Sequence, residues 1–182
     1  MNIIETVQKN LGFVALEKID PNTQETMGSD MVIGNQAISQ AGIPAILLGI
    51  YNRLELNPEL GFLDEKANLL EKIFGASKGK VVQRIIDYSR IKDKHSEQQL
   101  EHIAAESMRV ISENIGAGAE IRSIRSFVAR NKPDVLLYLP PALELGKILQ
   151  NNNLDDRTGK MEGPVSSLMH SVEKVFNSSD NF

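Results

Sequence analysis

The sequence predicts an all-α fold of eight to ten short helices, and three observations carry that expectation. Apolar residues recur at helical spacing almost throughout the 182 residues. Strict apolar–polar alternation over a strand length is hard to find. Gly and Pro punctuate the periodic stretches as helix stops do.

Taken in order, Leu69, Leu70, Ile73 and Phe74 share one helix face, as do Val81, Val82, Ile85 and Ile86. Leu100, Ile103, Ala104, Met108 and Ile111 form a third stripe. A longer pair of helices is therefore expected from about Ala76 to Ile111. Two short apolar runs, "DMVIGN" and "DVLLYLP", could be strands, but Gly34 interrupts the first and Pro140 and Pro141 follow the second, so both read as short helices. Stops are expected at Gly12, Gly42, Gly61, Gly75 and Gly116 and at Pro21, Pro44, Pro58, Pro133, Pro141 and Pro164.

Three motif pairs suggest an internal duplication. "PAILLG" from Pro44 pairs with "PALELG" from Pro141, "EKIFGAS" from Glu71 with "EKVFNSS" from Glu173, and "VQKNLG" from Val7 with "ISENIG" from Ile111. The order is kept, at offsets of about 100 positions. Pro suits a helix's first turn and the terminal Gly suits a C-cap, so each motif has a structural use. The expected organisation is a first helical half at 1–77, connecting helices at 78–110 and a second half at 111–182, packed as one compact unit. Pro44 and Pro141 should then share a first-turn position, and Phe74 and Phe176 should plug equivalent core sites.

Composition narrows the function classes. A net charge of −4 gives no whole-chain attraction to nucleic acid or an acidic membrane surface. The absence of Cys removes disulfides, thiolate nucleophiles and Cys-ligated metals. "MNIIETVQKNLG" has no basic region before its apolar residues, so no secretory signal is expected. The longest apolar stretch, "AGIPAILLGIY", falls short of the roughly 20 residues of a membrane helix. A cytoplasmic location is the expectation.

The polar stretch from Asn151 to Pro164 places Asn151, Asn153, Asp155 and Glu162 at ligand positions of a calcium loop. Asp156 stands where the turn requires Gly, Thr158 replaces an apolar residue, and Pro164 would fall inside the outgoing helix. A solvated connection is the better reading. The catalytic patterns are incomplete too. "GASKG" around Ser77 matches the nucleophile-elbow spacing, but the residues before it have helical period, and Ser77 reads better as an N-cap. "SKGK" at Ser77–Lys80 with "RTG" at Arg157–Gly159 and "SDN" at Ser179–Asn181 presents a β-lactamase-type set in the wrong order.

His95 and His102 are two helical turns apart, roughly 10 Å, too far to share an ion directly. His102 and Glu106, one turn apart, read as a surface pair, and His170 as a boundary residue of an amphipathic last helix. No catalytic residue, metal or cofactor is therefore assigned, and the balance leans away from an enzyme.

The favoured expectation is a non-enzymatic helical module that binds a protein or an apolar small molecule; "AGIPAILLGIY" and "VLLYLPPAL" would be the walls of a groove, although the more ordinary reading of the two segments is that they are simply core. The alternative is nucleic-acid binding through a degenerate helix-turn-helix at residues 69–86, presenting Lys78, Lys80, Gln83 and Arg84. A second basic helix, "EIRSIRSFVARNK", carries Arg122, Arg125, Arg130 and Lys132 around an apolar stripe of Ile121, Ile124 and Val128.

Overall fold

A computed structural model of the chain describes residues 2–19, 34–91 and 95–149. Most of "DMVIGN", the polar loop from Asn151, His170 and Phe176 lie outside the described residues. Helix is the only regular secondary structure among those described. The α-helices are α1 (Ile3–Asn10), α2 (Asn35–Leu56), α3 (Leu69–Phe74), α4 (Lys78–Ser89), α5 (Ser96–Ile115), α6 (Ile121–Leu136) and α7 (Leu145–Leu149), with 3-10 turns at Leu60–Asp64, Gly75–Ser77 and Pro141–Leu143. None is long and apolar enough to cross a membrane, among the described residues.

The fold is organised around α2. Every residue from Ala37 to Tyr51 is buried, and none of them carries a formal charge. A helix that is apolar all round must be enclosed on all sides, and α2 is enclosed by α1, α3, α4, α5 and α6. The surrounding helices are amphipathic and turn one stripe inward: Ile3, Ile4 and Val7 of α1, Val81, Val82 and Ile85 of α4, Ile103, Met108 and Ile111 of α5, and Ile124, Phe127 and Val128 of α6. All belong to one apolar cluster that draws on each of the three chain segments distinguished in the sequence.

One of the expected stops, Gly42, proves to be a packing device, as does Gly49. Gly42 and Gly49 lie inside α2, where a methyl at Gly42 would stand 2.8 Å from a Leu100 Cδ and one at Gly49 2.7 Å from the Ile73 Cγ2. They are notches that let α5 and α3 approach the central helix. Pro44 also lies inside α2 and Pro133 inside α6. Each removes one helical N–H, a cost that α2 offsets through burial on every side and that exposed α6 leaves to solvent. The 20-residue α5 lies largely within the stretch where a longer pair of helices is expected, whereas the 22-residue α2 is a long helix where short ones are expected. "DVLLYLP" is the last turn of α6 and the chain leaving it, not a separate helix.

The duplication loses its main structural support for the same reason. Pro44 sits in mid-helix, whereas Pro141 opens a 3-10 turn that ends at Glu144 in the left-handed region. The two Pro-Ala motifs therefore do not occupy one first-turn position. The reading of the two apolar segments as core holds for "AGIPAILLGIY", which is wholly buried, and for most of "VLLYLPPAL", where Val135, Leu136, Tyr138, Leu139 and Leu143 are buried while Leu137 is exposed.

Polar ties fix the periphery. The Gln40 side chain, buried in α2, accepts from the Glu17 N–H at 2.8 Å and donates to the Glu17 carbonyl at 2.9 Å and the Tyr138 carbonyl at 3.2 Å. One amide thus joins the chain after α1 and the chain after α6 to the central helix. Helix α3 lacks a local cap because Asn68 is left-handed, at φ 54°. Glu101 of α5 supplies one instead, its carboxylate accepting from the N–H groups of Leu69 at 2.9 Å and Leu70 at 3.3 Å.

Candidate functional site

The four residues of the helix-turn-helix alternative lie on α4, whose apolar side packs against α2. Three of them are engaged within the chain. Lys78 pairs with Glu97 of α5 at 2.6 Å, and that hydrogen bond raises its pKa. Gln83 donates to Asp87 at 2.8 Å, and Arg84 pairs with Glu144 at 2.6 Å. Glu144 also holds Lys147, which with Arg84 draws its pKa below the usual carboxylate range. Lys80 is exposed.

Ser77 stands at the N-cap position of α4 but makes no cap hydrogen bond. Its backbone is already helical, and its hydroxyl donates to the Ile148 carbonyl at 3.3 Å. Glu106 does not pair with His102. It holds Arg109 at 2.6 Å and accepts from Asn10 of α1 at 2.7 Å, and the Arg109 hydrogen bonds are the main cause of its lowered pKa. Among the described residues no group of three His, Asp or Glu side chains could hold a metal ion.

The basic helix α6 is different. Its inner face buries Ile124, Phe127, Val128, Val135 and Leu136, with the Phe127 ring edge-on to Tyr51 of α2 at 6.1 Å between centroids. Burial, and secondarily the charge of Asp134, push the Tyr51 phenol far above its ordinary pKa, so it stays protonated. Lys132, at the flank, is spent on Glu55 at the end of α2, 2.7 Å away. On the outer side Arg122, Arg125 and Arg130 are exposed and form no ion pair with the described residues. Between them lie only small residues, Ser123, Ser126 and Ala129.

The helix spacing spreads the three guanidinium groups over about 12 Å of the helix axis. At its two ends this face carries exposed apolar side chains, Ile121 at 56% and Leu137 at 46% exposure. Ile121 is thus not part of the buried stripe to which its spacing assigned it. The sequence named the arginines but could not separate them from the cations of α4. The distinction rests on carboxylates remote in the chain, Glu97 and Glu144, which pair with α4, whereas Arg122, Arg125 and Arg130 form no ion pair among the described residues.

No known family model matches the chain, and neither a curated protein nor a solved structure shows significant similarity to it.

Proposed function

We propose that the chain is a non-enzymatic protein-interaction module whose docking face is the outer side of α6, and that its partner presents an acidic segment with apolar residues at its ends. The observation that carries this reading is the contrast in charge pairing. Lys78, Arg84, Arg109 and Lys132 are each neutralised by a carboxylate of the chain, whereas Arg122, Arg125 and Arg130 lie exposed on one side of α6 and form no ion pair among the described residues.

Arginine forks bind carboxylates in two parallel hydrogen bonds and keep their charge in any protein setting. Ser126 and Ala129 between them allow a partner backbone to come close. Ile121 and Leu137 supply the apolar anchors that a purely ionic contact lacks. A polyanionic duplex is the less suitable occupant, because the chain is acidic overall and Glu120 and Asp134 bracket the arginines.

Fluorescence anisotropy with a labelled amphipathic peptide carrying Glu and Leu at helical spacing tests the reading. Binding should weaken with salt and fall roughly tenfold or more in Arg122→Glu/Arg125→Glu/Arg130→Glu, while Lys80→Glu leaves it unchanged. No binding by the wild type, or equal binding by the triple variant, overturns the proposal. Duplex DNA bound in preference to the peptide, and lost in the triple variant, transfers the face to nucleic acid.

A further inference from the structure

The stretch from Leu56, the last residue of α2, to Asp64 has the makeup that the outer face of α6 calls for. Leu56 is 80% exposed, the most exposed large apolar side chain among the described residues. Glu59 and Asp64 are exposed, and neither forms an ion pair with the described residues. The stretch is also held in shape. Leu63 is buried, Phe62 lies under the Arg53 guanidinium at 5.0 Å, and the 3-10 turn Leu60–Asp64 packs on α5.

Asp64 lines a cleft of about 290 Å³ against α5, to which Leu69 and Ala105 contribute apolar surface. Glu65 and Glu113 line it too, but Glu65 is taken up by Lys72 and Glu113 by Arg109. Asp64 is thus the carboxylate of the cleft left to receive an incoming cation. An arginine suits such a place, because its stem can lie on apolar surface while its guanidinium makes two parallel hydrogen bonds to a carboxylate.

We infer that the partner of the α6 face is a second copy of this chain: the arginines of one copy dock on the Leu56–Asp64 stretch of the other, where Glu59 and Asp64 accept them and Leu56 packs on the apolar ends of α6. The inference rests on the docking reading of α6 and names its occupant. Lys132 of α6 holds Glu55, the neighbour of Leu56, at 2.7 Å, so the two complementary surfaces begin side by side on one copy. Across a two-fold axis each copy can then give its arginines and receive those of its partner, which closes the assembly at two copies.

Sedimentation velocity of the full chain over a range of concentrations tests this. The wild type should pass from monomer to dimer as concentration rises. Arg122→Glu/Arg125→Glu/Arg130→Glu and Glu59→Lys/Asp64→Lys should each weaken the dimer roughly tenfold or more. An equimolar mixture of the two variants should recover it, since each reversed surface then meets its complement, and a variant that failed to fold could not give that rescue. Lys66→Ala, which removes an exposed cation beside the cleft, should tighten the dimer. A wild type that stays monomeric up to roughly millimolar concentration but binds the acidic peptide overturns self-association and leaves the docking reading standing, whereas one that does neither overturns both. A dimer unaltered by either reversal, a mixture without recovery, or a looser dimer in Lys66→Ala would also overturn the inference.

Discussion

Helices α2 and α6 pack against one another and yet answer to opposite demands. Between Ala37 and Tyr51 the central helix turns no side to water and carries no formal charge, while α6 buries one stripe and leaves three arginines in solvent. Their prolines show what this means. Pro44 breaks the hydrogen-bond ladder of a helix that has every neighbour to hold it, and Pro133 breaks that of a helix whose outer carbonyls can turn to water. Each helix tolerates the same defect for a different reason. Stability is concentrated where the chain has spent its apolar residues, and the arginines without an ion pair among the described residues lie on the side of α6 turned to solvent.

The largest effect should come from the enclosed helix. Leu48, fully buried in α2, has packing on all sides, and Leu48→Ala should cost about 2–5 kcal/mol because the surrounding helices can collapse only partly into the space. Denaturant unfolding measures it, and a loss below about 1 kcal/mol would mean that α2 is not the enclosed element described here.

How much of this was legible follows from the range of each interaction. The amphipathic stripes of α4 and α5 and the stops at Gly75 and Gly116 are local properties, and the glycines close their helices at φ 52° and 85° as their position in the sequence implies. Gly42 misled because a glycine that stops a helix and one that admits a neighbour look alike until Leu100 and Ile103 are in place. The fully apolar run around it was itself a signal of burial that outweighs the glycine and Pro44. Glu101 as a remote cap for α3 gives no local signal, since capping patterns assume the donor and acceptor lie within one turn. Gln40 did leave a trace, as an isolated amide inside an otherwise apolar stretch, where only a buried hydrogen-bonding task accounts for it. The basic segments were visible as composition. Their separation into paired and unpaired faces was not, because Arg84 meets Glu144 only through the fold.

A smaller effect should distinguish paired charge from free charge. Glu106 ties α5 to α1 through Asn10 and holds Arg109, chiefly whose hydrogen bonds lower its folded-state pKa. A carboxylate with a depressed folded pKa stabilises the fold above its unfolded pKa, and that stability is lost as pH falls through the folded value. Acid should therefore erode the wild type by more than it erodes Glu106→Gln, by about 0.5–1 kcal/mol, the range of a partly exposed ion pair. Urea midpoints measured on both proteins across the acidic range compare the two directly. Parallel curves would remove Glu106 from the forces that hold α1 against α5.

The smallest expected effect is the one that separates the two helices most cleanly. Reversing charge at Arg122, Arg125 and Arg130 touches no buried side chain and breaks no ion pair with the described residues. Each change is of the solvated kind that usually falls within about 0.5 kcal/mol. The added glutamates have a further small influence by position: near the start of α6 at 122 and 125 they favour the helix dipole, while at 130 the new charge lies one turn from Asp134 and opposes it. These contributions are of opposite sign and similar size, so the urea midpoint of Arg122→Glu/Arg125→Glu/Arg130→Glu should stay close to that of the wild type. The same protein should lose its hold on the acidic peptide. Near-wild-type stability with lost binding keeps the outer face of α6 as a surface the fold does not need for itself. A cost of several kcal/mol would instead make those arginines part of what holds α6 in place, and the contrast between an enclosed helix for stability and an open one for recognition would fail.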